Sequence, residues 1–180
     1  NILTSLIKPE NDTRTISAIH ALKNYILIDS KSCASHYFSI ENSKNMSRYL
    51  IKHVLESPYG VKEEASYLLC FAMKCASLFF AKGFIEPYST GSIIKQSLEF
   101  EEDAIVNILC FNKNDLTKFL IQGLIAICNQ CIEWRVKDEL FEKFNVQILP
   151  LIKEIESTDD EELSSCINIL FKLLIPDEET

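Results

Sequence analysis

Hydrophobic positions along this chain recur at the period of a helix. In 61–82, Ala65, Leu68, Leu69, Ala72, Met73, Ala76 and Phe80 follow the i, i+3, i+4, i+7 pattern of an amphipathic helix. Leu116, Leu120, Leu124, Ile127, Cys128 and Cys131 do the same within 115–132. Ile148, Leu151, Ile152 and Ile155 predict a shorter helix. Leu163, Cys166, Ile167, Leu170, Phe171 and Leu174 predict another. No segment alternates apolar and polar residues long enough to predict a strand.

Polar breaks separate these runs. Ser57-Pro58-Tyr59-Gly60 and Glu86 to Gly91 read as turns. Asn112 to Asp115 is a third break, with Asn114 or Asp115 the expected N-cap of the helix that follows. At the fourth, Ser157 to Asp160, Thr158 followed by Glu161 fits a capping box. Pro176 ends the last helix, and an acidic tail follows.

Two short elements recur. Tyr49 to Ser57 is similar to Ser92 to Phe100 and to Pro150 to Ser157. Ahead of each stands a second element: Ala21-Leu22-Lys23-Asn24, Leu68-Leu69-Cys70-Phe71 and Ala126-Ile127-Cys128-Asn129, with Ser165-Cys166-Ile167-Asn168 as a last copy. The successive intervals, Asn24 to Phe71, Phe71 to Asn129 and Asn129 to Asn168, are 47, 58 and 39 residues. Helical repeats of roughly 40–47 residues match that spacing once an added short helix or loop at 101–113 is set aside.

On these residues the chain resembles the armadillo repeat family. Val61 to Leu69 is similar to the family's second helix, and Phe144 to Ile152 to the start of its third. Asn24, Asn129 and Asn168 fall where the family places its second-helix Asn. Phe71 replaces that Asn in the second unit, and Asn145 replaces the expected Gly in the third. The resemblance implies an all-α, right-handed solenoid of armadillo or HEAT type, in one domain spanning 1–180. Its units are about 11–57, 58–100 and 114–157, with a partial unit at 158–176 and an insertion at 101–113. It also implies a protein-interaction scaffold or adaptor rather than an enzyme. The rival expectations are a myosin- or Hsp70-directed co-chaperone and a compact helical bundle of the Bcl-2-like regulatory type. The single Trp134 argues against importin-type members, which carry repeated Trp and Asn pairs.

The chain begins at Asn1, not Met, and is expected to be a fragment of a longer one. Composition narrows the picture further. Four Gly and five Pro in 180 residues favour helices over turn-rich β folds. No apolar run reaches the roughly eighteen residues that span a bilayer, so no membrane partner is expected. A net charge of −8 repels phosphate backbones, so no nucleic-acid partner is expected either. The seven Cys form no secreted-style framework and mostly sit in apolar helical runs. That usage predicts a reducing compartment, cytoplasmic or nuclear.

Candidate chemistry is sparse. Cys128 and Cys131 share one helix face and lack the second pair that a structural zinc site needs, so they are expected to pack inward. His20, His36 and His53 lie far apart in sequence, and no Gly-rich phosphate loop occurs. The acid pairs Glu63-Glu64 and Glu161-Glu162 are expected to favour the starts of their helices. No catalytic residue, metal or cofactor is expected. Candidate partner-binding residues are Arg48, Lys52, Lys95, Gln96, Gln147 and Lys153 on the third helices, with Trp134 and Arg135 at a bend. Lys52, Lys95 and Lys153 recur at equivalent positions, which suits an acidic or extended peptide.

Overall fold

The computed structural model describes residues 6–7, 12–38, 44–78, 80–81, 103–133, 135, 137–155 and 160–175. It is all-helical; no strand occurs among the described residues. The main helices are α1 (Asp12–Ile28), α2 (Ser30–Tyr37), α3 (Lys44–Glu56) and α4 (Tyr59–Cys75), then α5 (Asn114–Glu133), α6 (Lys137–Ile155) and α7 (Glu161–Leu174). None of the described helices is long and apolar enough to cross a membrane.

Side-chain caps explain the starts of α2 and α7. Asp29 caps α2: its carboxylate accepts the Ser32 N–H at 3.0 Å. Asp160, not Thr158, caps α7 by accepting from the Leu163 N–H at 3.0 Å. Thr158 itself lies outside the described residues. Asn114 already belongs to α5, where the Thr117 N–H reaches the Lys113 carbonyl. The predicted cap at Asn114 or Asp115 therefore falls one or two residues late.

Two helices differ in length from their sequence pattern. Periodicity runs through to 82, yet α4 ends at Cys75, with Ala76 at φ −121°. Residues 77–78 and 80–81 are helical again past this break, with the Phe80 N–H donating to the Ala76 carbonyl at 3.2 Å. The fully buried Phe80 ring lies 6.2 Å from that of buried Phe38. Conversely, α6 is far longer than 148–155 and carries Pro150 inside it. The expected insertion at 101–113 contains helical residues 103–109, whose Ala104, Ile105, Ile108 and Leu109 join the core.

Packing places these helices in a definite order. α1 packs on α4, α4 on α5, and α5 on α7. Among the described residues, α1 shares no extended face with α5 or α7, nor does α4 with α7. α3 lies on α4, whereas α6 leans on α5 and α7. α2 bridges α1 and α4.

The direction of each helix follows from cross-contacts. Tyr59 meets Phe111, Glu63 meets Lys113, Tyr67 and Phe71 meet Phe119, and Lys74 meets Gln122. Both members of these pairs advance together, so α4 and α5 run parallel. The N-terminal parts of α5 and α7 meet through Lys118 and Glu162, 2.8 Å apart. Since those helices also share a long face, they run parallel too. His20 and Lys23 of α1 meet Glu64, Lys23 also lies over Tyr67, and Cys33, just past the end of α1, lies near enough to Cys75 at the end of α4 to feel its charge, so α1 runs parallel to α4.

One continuous cluster of apolar side chains fills the space between these helices. In α4, Leu68, Leu69, Cys70, Ala72 and Met73 are all buried. A helix so enclosed has neighbours on several sides, and each fully buried Leu or Met contributes about 1.5–3 kcal/mol. His53 is also fully buried. Its Nε2 lies 2.6 Å from the Ile7 carbonyl and its Nδ1 2.7 Å from the Ser57 hydroxyl. A carbonyl can only accept, so Nε2 carries the hydrogen and donates to it. This bond ties Ile7 to α3, and Thr15 donates to the neighbouring Leu6 carbonyl at 3.2 Å.

The closest approach of α4 and α5 is at Gly123. A Cβ there would lie 3.0 Å from the Met73 Cβ and 3.2 Å from the Cys70 carbonyl oxygen. Neither atom is the free end of a flexible side chain, so the helices would have to separate. Gly123→Ala is therefore expected to destabilise the fold by about 1–3 kcal/mol, although Ala is the better helix former by about 1 kcal/mol. Urea unfolding of the two proteins measures this; a more stable variant would show that the contact is slack.

Candidate functional site

The residues singled out for partner binding fall into three groups. Arg48 and Lys52 are exposed on α3, while Gln147 and Lys153 are exposed on α6. Arg135 is exposed in the turn between α5 and α6. Lys95, Gln96 and Trp134 lie outside the described residues, as does the aromatic segment Phe84 to Gly91. The lysine series Lys52, Lys95, Lys153 thus has its first and last members described. α3 and α6 share no extended face, so the structure does not bring these two lysines together.

Each described lysine has a local neighbour. Lys52 lies 3.7 Å from Glu56, one turn along α3, with both side chains about half exposed. Such a pair is worth little and leaves Lys52 available to an incoming carboxylate. The Lys153 ammonium sits 5.9 Å from the centre of the Phe171 ring on α7. Its charge is steered over an aromatic face while staying in water.

A second assembly, absent from the sequence reading, runs across the row of parallel helices. Lys23 on α1 donates to Glu64 on α4 at 2.6 Å, and His20 approaches the same carboxylate oxygen at 3.1 Å. Glu63, one residue earlier, pairs with Lys113 just ahead of α5. Lys118 on α5 pairs with Glu162 on α7. Every junction along the row is thereby crossed by a lysine–glutamate pair. Glu63 and Glu64 were expected to serve the helix dipole, but α4 begins at Tyr59 and has no acid in its first turn. They hold neighbouring helices instead. Glu161 and Glu162 do stand in the first turn of α7.

Aromatic side chains accompany the charges. Half-buried Tyr67, Phe71 and Phe119 make a cluster whose ring centres are 6.1 Å and 4.8 Å apart. Lys23 lies 5.4 Å from the Tyr67 ring centre and Lys113 5.7 Å from that of Tyr59. Burial, then the Glu63 and Asp115 charges, push the Tyr67 phenol above its usual range, so it stays neutral. These groups are mutually satisfied.

Contact register differs from the repeat alignment. Phe71 opposes Phe119, not Asn129. Asn129 stands ten residues further along α5, about 15 Å at helical rise. Asn24, Asn129 and Asn168 are all exposed, at different levels along the row. The 58-residue interval of the alignment is replaced by spacings of 50 for Lys113–Glu63 and 48 for Lys74–Gln122.

Reactive chemistry finds little footing in the described residues. Cys128 and Cys131 are both buried. Burial pushes the Cys33 thiol up to about 12 and the Cys75 thiol up to about 11, and drives Cys70 upward as well. Such thiols are almost wholly protonated at neutral pH and are poor nucleophiles. No group of three or more His, Cys, Asp or Glu converges among the described residues. No protein family, curated protein or solved structure matches this chain.

Two substitutions test these local readings. For Glu64, burial alone would raise the carboxyl, but the Lys23 hydrogen bond and charge, with His20, outweigh it and hold it below the usual range. A depressed value in the folded state means stability that is present above the unfolded value and lost as pH falls through the folded one. Glu64→Gln should therefore cost about 0.5 kcal/mol at neutral pH, a figure that allows for solvent screening. The gap should close as pH drops below about 4. A gap that persists in acid would mean the pair does not supply that stability.

Arg135 adopts φ 61°, the left-handed region that suits glycine, and its N–H donates to the Ile132 carbonyl at 3.0 Å. No side-chain partner holds it among the described residues. Arg135→Gly is expected to raise the unfolding free energy by about 0.5–1 kcal/mol through relief of that strain. A loss of stability in thermal unfolding would instead assign the Arg side chain a supporting contact.

Proposed function

We propose that this chain is a short right-handed α-solenoid of armadillo or HEAT type that acts as a protein-interaction scaffold. The observation that supports the reading most is the ordered row α1, α4, α5, α7. Each helix packs on the next, in the same direction, at sequence separations of 41, 50 and 44 residues for the bridging lysine–glutamate pairs. A helical unit that cannot bury its own apolar face stacks on a similar unit, and such spacing is what stacking produces. The outer side of α7 exposes Glu161, Ser165, Asn168 and Lys172 together with the apolar Ile169.

The scaffold would hold an acidic or extended peptide through exposed side chains on α3, Arg48 and Lys52, and separately on α6, Gln147 and Lys153. A cytoplasmic or nuclear setting accords with the placement of Cys33, Cys70, Cys128 and Cys131 in the buried core, where Cys acts as a small apolar side chain.

A compact bundle of the Bcl-2-like kind is the rival, and α4 favours it. That helix touches α1, α2, α3 and α5, as a central bundle helix would. Small-angle scattering separates the two. A compact chain of this length has a radius of gyration of about 16 Å. The solenoid predicts a clearly larger value and an elongated distance distribution; a radius near the compact figure would reject it.

The binding surface has its own test. Lys52→Glu with Lys153→Glu should weaken binding of acidic peptides, selected from a random library against the unaltered protein, by tenfold or more. Binding unchanged by the double reversal would remove these lysines from the surface.

A further inference from the structure

We draw no further inference here: the strongest candidate, the half-buried aromatic cluster of Tyr67, Phe71 and Phe119 on the α4–α5 seam with exposed Leu27 and Ile169 on the flanking helices, carries nothing because nothing in the structure shows what covers it.

Discussion

The contact between α4 and α5 is the constraint on which the rest of the fold leans. Gly123 lets the α5 backbone come within van der Waals reach of the Cys70 carbonyl and the Met73 side chain. Around that point Leu120, Leu124 and Ile127 of α5 and Leu69, Cys70 and Met73 of α4 are all removed from water. The two helices therefore meet as a close-packed pair, and what packs on either one inherits its direction. α1 adds to the far side of α4, and α7 to the far side of α5.

Charges reinforce an arrangement that apolar burial has already set. The lysine–glutamate pairs at the three junctions are partly exposed, and such pairs contribute modestly in water. Their value is in register. A slip of one turn would part Lys113 from Glu63 and Lys74 from Gln122, and would break the Tyr67–Phe119 contact as well. The close fit at Gly123 and the paired charges thus favour the same alignment.

The exposed faces of α3 and α6 are built differently from the row. On α3 and α6 the candidate residues stand in solvent, and Lys52 and Lys153 have only weak local partners. Along the row, by contrast, Glu63, Glu64, Lys113 and Lys118 are already committed to one another. That division, with satisfied charges between helices and loosely held charges facing water, is what the proposed use of α3 and α6 as peptide-holding faces rests on.

Helical class, the approximate positions of α4, α5 and α7, and the inward packing of Cys128 and Cys131 could be read from the sequence. A 3.6-residue period in apolar side chains dictates which face must leave water, whatever that face meets. The end of α4 at Cys75, the partners of Glu63 and Glu64, the closeness required of Gly123 and the pairing of Phe71 with Phe119 were decided only in three dimensions. Each depends on a second helix some fifty residues away, and no local pattern specifies how far along its axis that helix will settle.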